Sequence, residues 1–426
     1  MDTISALSSG TPPAAISIIR ISGPRAFAIS RAMVGTLPAP RQAALRAVRD
    51  ENGDLLDRAL VLCFPCPASA TGEDLVELHC HGGWAVGDAV LRCLADHGVR
   101  PAVAGEFTRR ALLNGRIDLA QAEGLADLLS AETEHQRRAA LGAAEGDVGR
   151  AVKRWIERIA LLSACAEALL DFAEEGDVAV EEEDRAIARI AMDARALGHE
   201  IADVAAQPTV ERLRDGIGVV LAGPPNSGKS TLLNALTQRE AAIDTPIAGT
   251  TRDRIDVPVS RNGVAYVLSD TAGLTTTKDL VERIGVDRAH AAIDHADLVI
   301  WTGDEDTPDG ALWIRSRADL PDRAGLKTGM VLAVSAREPA TLTALWAEIE
   351  RRAIALLPRP DSVALNRRQH DLCVQARDAL CGIQHHDSLL VAEHLRLAHS
   401  HLAAISGADH TEQMLTALFA RFCIGK

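Results

Sequence analysis

Apolar and polar residues alternate in three short segments near the start of the chain. The segments AAISIIRIS (14–22), ALVLCF (59–64) and DLVELHCH (74–81) have the two-residue period that favours β-strands. The segment WAVGDAVLRCLADHG instead spaces its apolar residues by three and four and ends on Gly98, which predicts a helix closed by glycine. Residues 1–118 are therefore expected to form a mixed α/β domain.

From residue 119 onward the apolar spacing becomes helical, and alanine and leucine dominate. This stretch contains no proline up to the acidic run Glu174–Asp184, and it predicts a long helical hairpin. The acidic run predicts a solvent-exposed turn, followed by a further helix to about residue 206. Helical spacing returns after the segment LPRPDS. We expect one helical domain in two parts, 119–210 and 361–426, around an inserted module at 211–360.

The inserted module carries GPPNSGKS (223–230), which matches G-x-x-x-x-G-K-[ST] between the apolar segment GVVLAG and the helical segment STLLNALT. Such a loop presents backbone N–H groups and a helix N-terminus to an anion. Lys229 is expected to reach the β and γ phosphates of a nucleotide, and Ser230 is expected to hold Mg²⁺. The predicted contacts of this loop are Asn226, Ser227, Gly228, Lys229, Ser230 and Thr231.

Further segments follow in the order that a GTPase requires. AGTTRD (248–253) supplies the hydroxyls of a first switch loop, and DTAG (270–273) offers a carboxylate to the magnesium shell and a glycine to the γ-phosphate. The segment SAR ends another strand, GMVLAV. Ser230 and Thr251 are the predicted magnesium ligands. The other predicted nucleotide contacts are Thr245, Pro246, Ile247, Ala248, Gly249, Thr250, Thr251, Asp270, Thr271, Ala272, Gly273, Asp319, Ser335, Ala336 and Arg337.

The segment that should read the base departs from the GTPase pattern. A GTPase normally presents N-K-x-D, whose carboxylate accepts hydrogen bonds from N1 and N2 of guanine. Here the candidate is SRAD, which keeps the carboxylate at Asp319 and loses the amide at Ser316. Only Gly303–Gly310 separates the apolar segments ADLVIW and ALWIRS, although a parallel crossover usually takes a dozen or more residues. The expected crossover helix is missing, and we predict weaker nucleotide selectivity than the other motifs imply.

The charge distribution limits the classes of partner. The 426-residue chain has a net charge of −14, and residues 121–210 carry 9 basic against 19 acidic side chains. This argues against a general nucleic-acid coat, because phosphate binding rests on clustered lysine and arginine. A nucleic acid would be held locally or by another protein. No apolar run approaches the roughly 18–20 residues that span a bilayer. The N-terminus also lacks the pattern of a secretion signal. We expect a cytoplasmic protein with no membrane partner.

Cysteine spacing allows two interpretations. Cys63-x-x-Cys66 followed by His79-Cys80-His81 resembles a zinc site in its spacing. If the second segment is a strand, however, its three side chains point to opposite faces of the sheet, which favours ordinary strand residues. The cysteines in helical segments are expected to be small core residues: Cys93, Cys165, Cys373 and Cys381.

From end to end the chain resembles the tRNA modification GTPase family called MnmE or TrmE. The segments that carry the resemblance are DTISAL, IIRISGP, TGEDLVELHCHGG, GEFTRRALLNGRIDLAQAEGLADLL, NSGKS, AGTTRD, VERIGVDRA and the closing FCIGK. Residues 104–130 and the terminus are the most specific, since few other GTPases carry them together. The chain departs from the family at Ala14-Ala15, where the family has a glycine-rich stretch after TPP.

The resemblance implies a multi-domain fold and a function. The fold would combine an N-terminal α/β tetrahydrofolate-binding and dimerisation domain, a central helical domain and an inserted α/β Ras-like P-loop G domain. The function would be that of a potassium-dependent GTPase, working as a homodimer with an FAD- and NADH-using partner of the MnmG or GidA type. Together they would place an aminomethyl or carboxymethylaminomethyl group on C5 of the wobble uridine of certain tRNAs. The one-carbon unit would come from 5-formyltetrahydrofolate or a related folate.

The resemblance also assigns residues to the folate. The contacts would be Arg20, Glu77, Arg116 and Lys426, with Arg116 standing where the family commonly has lysine. Glu77 is equally compatible with a solvated strand face. The terminal lysine and its carboxylate, packed against the N-terminal domain, would give the closing FCIGK a role. Cys423 is a candidate nucleophile by position, or else a small buried thiol.

A potassium site follows from the same resemblance. An asparagine three residues before the P-loop lysine marks GTPases that bind K⁺, and a monovalent cation there offsets the charge that develops on the phosphates. Two G domains would meet across the first switch loop. The ligands would be Asn226, Thr245, Ile247 and Thr250.

The predicted catalytic residues are Glu282, Lys229 and Arg252. Glu282 would orient or activate the attacking water. On the residues alone Glu282 also fits a surface helix, and Arg252, with Asp253, also fits a structural or interface role.

Three other functions compete with this interpretation. The SRAD segment and the short crossover fit a G domain that has become a nucleotide-binding scaffold. A folate-dependent one-carbon transferase acting without a partner is a second alternative. A ribosome-assembly GTPase is a third, and it is disfavoured because the chain has no basic RNA-binding appendix.

Overall fold

The computed structural model describes residues 2–175, 180–238, 241–242, 256–270, 293, 295–305, 307–323, 325–359, 362–383, 387–407 and 412–425. The chain forms two compact units. Unit 1 comprises Met1–Leu129, Ala144–Val152 and Ala403–Lys426, and unit 2 comprises Ser130–Ala143 and Lys153–Leu402.

The strands of the described residues form two sheets. In chain order they are β1 Ile4–Leu7, β2 Ile16–Ser22, β3 Ala44–Arg49, β4 Leu55–Phe64, β5 Leu75–His81, β6 Arg100–Pro101, β7 Ile217–Ala222, β8 Ala241–Ala242, β9 Asp256–Arg261, β10 Val264–Asp270, β11 Leu298–Trp301, β12 Leu312–Ser316 and β13 Leu332–Val334. Strands β2, β4 and β5 confirm the three segments in which apolar and polar residues alternate.

The α-helices of the described residues are α1 Ala26–Val34, α2 Trp84–Asp96, α3 Glu106–Leu113, α4 Leu119–Leu129, α5 Glu134–Ala144, α6 Asp147–Glu175, α7 Val180–Ala205, α8 Glu211–Asp215, α9 Lys229–Thr237, α10 Pro339–Ile354, α11 Arg367–Cys381, α12 Ser388–Ser406 and α13 Glu412–Phe419. None of these described helices combines the length and the apolar character needed to cross a bilayer.

Unit 1 is built on a mixed sheet in the order β3-β4-β5-β2-β1-β6. Neighbouring strands are antiparallel except for the parallel pair β1 and β6. Helices α1 and α2 pack on one face, where Ile19, Ile21, Val61 and Leu78 are fully buried. The helix predicted to close at Gly98 ends there, with Gly98 at φ +77°.

A second apolar core in unit 1 joins the two ends of the chain. Leu119 and Ala122 of α4 are buried together with Leu415 and Phe419 of α13 and with Phe422 beyond it. Residue Ala104 forms an antiparallel bridge with Ile424. The closing segment therefore packs against the N-terminal domain through both its apolar side chains and its backbone.

Unit 2 contains the sheet of the inserted module, in the order β13-β12-β11-β7-β10-β9-β8. The neighbouring strands β13, β12, β11, β7 and β10 are parallel to one another. Strands β9 and β8 extend the sheet beyond β10 in antiparallel pairs. The apolar run of β7 is buried because helices α9 and α10 pack against this sheet, through residues such as Leu232 and Trp346. This is the predicted α/β P-loop architecture.

The short connection between β11 and β12 confirms the missing crossover helix. The two strands are parallel neighbours, and residues 302–305 and 307–311 between them contain no helix. Two indoles hold this connection instead: the Nε1 of Trp313 donates to Gly303 O at 2.8 Å, and the Nε1 of Trp301 donates to Glu305 O at 3.0 Å. Hydrogen bonds from aromatic side chains thus replace a helix.

The helical part of unit 2 contains residues 153–175 of the 29-residue helix α6, and the closely packed pair α7 and α11. A β-carbon at Gly198 of α7 would lie 2.8 Å from the Sγ of Cys381, so glycine permits this close packing. The expected hairpin is in fact three helices, α4, α5 and α6, and Gly146, at φ +89°, lies just before the third.

The acidic run, predicted to be a turn, is helical at both of its described ends. Residues 174–175 end α6 and residues 180–184 begin α7, while 176–179 lie outside the described residues. The acidic residues at 181–184 fall in the first turn of α7, where the helix dipole favours negative charge. The expectation of a turn across the whole run is therefore wrong.

Candidate functional site

The loop between β7 and α9 has the backbone of a phosphate-binding loop. Gly223 has φ +143°, Asn226 has φ +60° and Gly228 has φ +92°. A β-carbon at Gly223 would lie 2.4 Å from the Oγ1 of Thr302, so only glycine fits there. The loop ends at the N-terminus of α9, where backbone N–H groups and the helix dipole favour an anion.

Lys229 lies inside this loop and is only 5% exposed. Its ammonium donates to the carbonyl oxygens of Gly223 and Pro224, both at 2.9 Å. Burial lowers the pKa of Lys229, while the charge of Asp270 acts in the opposite direction. The hydroxyl of Ser230 donates to the carboxylate of Asp270. These two hard oxygen groups are of the type that Mg²⁺ prefers.

A cavity of about 340 Å³ adjoins the loop, and the residues predicted to read a base line it. Asp319 is held by two groups: its Oδ1 accepts from Ser335 Oγ at 2.9 Å, and its Oδ2 lies 3.6 Å from the Arg337 guanidinium. Ala336 also lines the cavity. Ser316, which stands in place of the asparagine amide, donates to the carbonyl oxygen of Ser227 at 2.6 Å.

Most of the predicted switch and terminal residues lie outside the described residues. They are Thr245, Pro246, Ile247, Ala248, Gly249, Thr250, Thr251, Arg252, Asp253, Thr271, Ala272, Gly273, Glu282 and Lys426.

In unit 1, Arg20 and Glu77 are cross-strand neighbours on β2 and β5. The Nε and Nη2 atoms of Arg20 donate to Glu77 Oε1 at 3.1 and 2.8 Å, and Glu77 Oε2 lies 3.2 Å from the Nε2 of His79. Burial would raise the pKa of Glu77, but the hydrogen bonds from Arg20 and His79 outweigh it, and the pKa is lowered. The Glu77 side chain is 16% exposed, which disfavours the alternative of a solvated strand face.

Two neighbouring cavities meet at Arg116. The first, of about 400 Å³, is lined by Arg20, Phe107 and Arg116, and the second, of about 360 Å³, by Arg41, Glu77 and Arg116. Ser69 and Ala70 line both. The structure thus brings together three of the four residues predicted to contact a folate.

Sequence reasoning missed two side chains of these cavities. Arg41, in the left-handed backbone region at φ +62°, places its guanidinium 5.7 Å from the ring of Phe64 and donates to Ala68 O. Phe107 lies 5.6 Å from the Arg20 guanidinium. The only sequence signal for Phe107 was its place in the segment GEFTRR. Arg41 had none, because its position depends on how the loop before β3 folds.

The closing segment is fixed in unit 1 at Gly425. The hydroxyl of Ser8 donates to Gly425 O at 2.9 Å. Gly425 has φ +97°, and a β-carbon there would lie 2.2 Å from Leu7 O, so the packing requires glycine. Cys423 is exposed, so the alternative of a small buried thiol is wrong for this cysteine.

The remaining cysteines divide between the core and the surface. Cys93 and Cys373 are buried and Cys381 is partly buried, but Cys165 is exposed, which corrects its assignment to the core. It lies on α6, in which Trp155, Ile159 and Ala166 are the buried residues nearby. Within the described part of the chain, no group of three or more His, Cys, Asp and Glu residues is placed to hold a metal.

The glycine loop, the buried Lys229 and the Ser230–Asp270 pair place this chain among the P-loop nucleotide-binding proteins. Residues 3–116 match the family described as the GTP-binding protein TrmE N-terminus, and residues 119–423 match the MnmE helical domain. The chain therefore belongs to the MnmE family of tRNA modification GTPases.

Individual relatives match over the full length. The chain is 51% identical to the tRNA modification GTPase MnmE of Erythrobacter litoralis, with all of both chains covered. It is 50% identical to that of Rhizorhabdus wittichii, covering 100% of this chain and 97% of the relative. Among solved structures, the G domain of the T. maritima FeoB iron transporter is 24% identical with a TM-score of 0.24, over 32% of this chain and 98% of that one.

Proposed function

We propose that this protein is a GTPase of tRNA modification, in which GTP hydrolysis by the module at 211–360 drives chemistry on the wobble uridine. The observation that carries the proposal is the P-loop itself, with Lys229 buried among loop carbonyls and Ser230 hydrogen-bonded to Asp270. Membership of the MnmE family supports the tRNA as the molecule that is modified.

In this proposal the loop residues act mainly by positioning charge. Lys229 would hold the β and γ phosphates, and Ser230, Thr251 and Asp270 would hold Mg²⁺, which would neutralise charge on the transferred phosphoryl group. Glu282 would orient the attacking water, and Arg252, in the first switch loop, is the other proposed catalytic residue. Asp319 selects guanine in the adjoining cavity, supported by Ser335 and Arg337.

We extend the proposal to a potassium site at Asn226. Asn226 lies in the P-loop with a left-handed backbone, at φ +60°, and an amide oxygen is a suitable ligand for a hard cation. Thr245, Ile247 and Thr250 would supply the remaining ligands. A cation there would stabilise the charge that develops as the phosphate bond breaks.

The experiment is GTP hydrolysis in KCl and in NaCl. We expect hydrolysis to be faster in K⁺ by about tenfold or more, the scale of removing a well-placed electrostatic contact, and the Asn226→Ala variant to lose this difference. Asn262→Ala is the matched control, because Asn262 also has a positive φ, of +49°, but its amide donates to Glu350 on the opposite side of the sheet module. Equal rates in both salts would refute the potassium site.

For the N-terminal cavities we propose a folate as ligand. The residues fit its chemistry: Phe64 and Phe107 offer ring faces, Arg41 and Arg116 offer cations for carboxylates, and the ionised Glu77 accepts from ring N–H groups. Lys426 would join them from the closing segment. A bound 5-formyltetrahydrofolate, or a related folate, would supply the one-carbon unit.

We propose a homodimer formed through the open face of the unit 1 sheet. A row of facing residues crosses four strands: Leu45, Leu60, His79 and Ile18. Leu45 is 57% exposed and Leu60 is 43% exposed, and an apolar sheet face of this kind is typical of a protein interface. Light scattering should show a dimer that Leu60→Asp dissociates. The matched Leu389→Asp, on an exposed position of α12, should remain a dimer.

The full reaction requires partners. We propose an FAD- and NADH-dependent protein of the MnmG or GidA type, with which the chain places an aminomethyl or carboxymethylaminomethyl group on C5 of the wobble uridine in the cytoplasm. The acidic middle of the chain fits a tRNA held largely by that partner. We retain the division into an N-terminal domain at 1–118, a helical domain at 119–210 and 361–426, and a G domain at 211–360.

A nucleotide-binding scaffold is the second candidate, favoured by the serine at 316 and by the short connection between β11 and β12. The two functions differ in turnover. Release of phosphate from GTP in potassium supports the GTPase, whereas tight binding without release supports the scaffold.

A further inference from the structure

Three buried hydroxyl groups form a connected set around the P-loop. We call Ser227, Thr302 and Ser316 the hydroxyl triad; they are 6%, 2% and 3% exposed. Ser316 Oγ donates to Ser227 O at 2.6 Å, the Oγ atoms of Ser227 and Thr302 lie 2.6 Å apart, and Thr302 Oγ1 donates to Ala222 O at 3.1 Å. The triad therefore ties the P-loop to the ends of β7, β11 and β12.

Counting protons fixes the direction of every hydrogen bond in the triad. Each hydroxyl has one proton to donate. Thr302 gives its proton to Ala222 O, so the proton between Ser227 and Thr302 must come from Ser227. Ser316 gives its proton to Ser227 O. All three protons are used within the protein, and the triad has none left to donate to a ligand.

Arg317, the residue after Ser316, also contacts the P-loop. It has φ +57°, and its Nε and Cγ lie 3.2 and 3.4 Å from the position of a β-carbon on Gly228. Its side chain thus runs along the P-loop glycine. Within the SRAD segment, Asp319 is the residue that offers an acceptor to the base cavity.

We propose that the hydroxyl triad replaces the anchoring function of an asparagine amide and that Ser316, unlike an asparagine, offers no donor to N7 of guanine. This inference rests on the proposed function. Guanine presents N7 and O6 as acceptors on one edge. An amide can bond the loop carbonyl with one N–H and retain a second for N7, whereas Ser316 has no second donor. Base selection therefore depends on Asp319 at the N1 and N2 edge.

The test is a competition among three nucleotides for the full-length protein, followed with a fluorescent guanine nucleotide. 7-deaza-GTP replaces N7 by C–H, and ITP lacks the 2-amino group that Asp319 would read. We expect 7-deaza-GTP to compete within about twofold of GTP. We expect ITP to bind about tenfold more weakly, because the Asp319 carboxylate then loses the partner that the 2-amino group would provide.

Ser316→Asn should create the missing contact. In this variant we expect GTP to bind about fivefold better than 7-deaza-GTP, the usual scale of one hydrogen bond. Ser316→Ala should weaken both nucleotides equally, because it removes only the anchor. Thr343→Ala is the matched control, since Thr343 carries an exposed hydroxyl on α10 that donates to Pro339 O.

The outcomes separate the inference from the proposed function. If wild-type protein binds GTP but rejects 7-deaza-GTP by tenfold or more, N7 is read and the inference is overturned, while the proposed function stands. If wild-type protein binds no guanine nucleotide, the proposed function and the inference both fail. The wild-type comparison needs no variant, so a folding defect of Ser316→Asn leaves the test intact.

Discussion

The nucleotide site of unit 2 and the cavities of unit 1 are built in opposite ways. The P-loop takes its lysine, its serine and its special backbone angles from eight consecutive residues, 223–230. The unit 1 cavities collect Arg20, Arg41, Glu77 and Arg116 from two strands and two loops. One site depends on local backbone conformation and the other on strand register, so they should differ in their sensitivity to a single substitution.

The comparison also shows how one polar residue can replace another in holding the P-loop to the sheet. In the base segment, the hydroxyl triad keeps the P-loop attached to the sheet although the amide is gone. A buried polar group needs any partner of the right geometry, not one particular residue type. Reading a ligand is more demanding, because it also requires a free donor or acceptor. Anchoring therefore survives a substitution that base reading does not.

The largest effect is expected at the P-loop. Lys229→Ala should lower GTP affinity by roughly 100-fold or more, because charge-assisted hydrogen bonds to phosphate contribute about 1.5–3 kcal/mol each. Titration with a fluorescent GTP analogue measures it. Lys327→Ala is the matched control, since Lys327 is exposed in the same module and donates to Asp304 O. A loss of GTP affinity below about threefold would contradict a nucleotide site that depends on a few consecutive residues.

A smaller effect is expected in unit 1. Arg20→Ala should weaken the binding of 5-formyltetrahydrofolate by about tenfold, because one charge-assisted contact is lost while Arg41 and Arg116 remain. Calorimetric titration measures this affinity. Arg46→Ala should bind the folate normally, since Arg46 is a partly exposed arginine of β3 that donates to Thr36 O. Complete loss with Arg20→Ala would show that this cavity, like the P-loop, depends on a single residue.

The smallest effect concerns Asp2, which forms ion pairs with Arg100 and Arg110 in unit 1. Hydrogen bonds from Arg100 lower the pKa of Asp2 to about 2, against the opposing effect of burial. Since the folded-state pKa is lowered, the stabilisation is present at neutral pH and is lost as pH falls from about 4 to about 2. Asp2→Asn should destabilise the protein at pH 6 by less than about 1 kcal/mol, because Asp2 is half exposed.

Chemical denaturation at several pH values checks this prediction. The stability difference between wild type and Asp2→Asn should shrink toward zero below pH 3, whereas Asp88→Asn, at an exposed position of α2, should match wild type throughout. A difference that stays constant with pH would show that Asp2 acts by packing and not by charge.

The sequence predicted the nucleotide site more completely than the unit 1 cavities, because contacts between residues distant in sequence cannot be read from a local pattern. The P-loop backbone and Asp319 could be predicted because their motifs are contiguous. The partnership of Arg20 and Glu77 needed the register of β2 against β5, which a period of two does not specify. Arg41 and the hydroxyl triad depend on loops and on parallel pairing between distant strands. At the described ends of the acidic run, 174–175 and 180–184, the turn prediction was wrong because a charge pattern does not distinguish a turn from the end of a helix.

The apolar core shared by α4 and the closing segment can form only late in biosynthesis. At about 5–20 residues per second, a ribosome needs on the order of ten seconds or more to pass from α4 to α13. During that interval the apolar face of α4, with Leu119 and Ala122, has no Leu415, Phe419 or Phe422 to cover it. The first-made domain of a nascent chain is thus finished last, and a message truncated before α13 would yield a protein with an intact P-loop and an open N-terminal core.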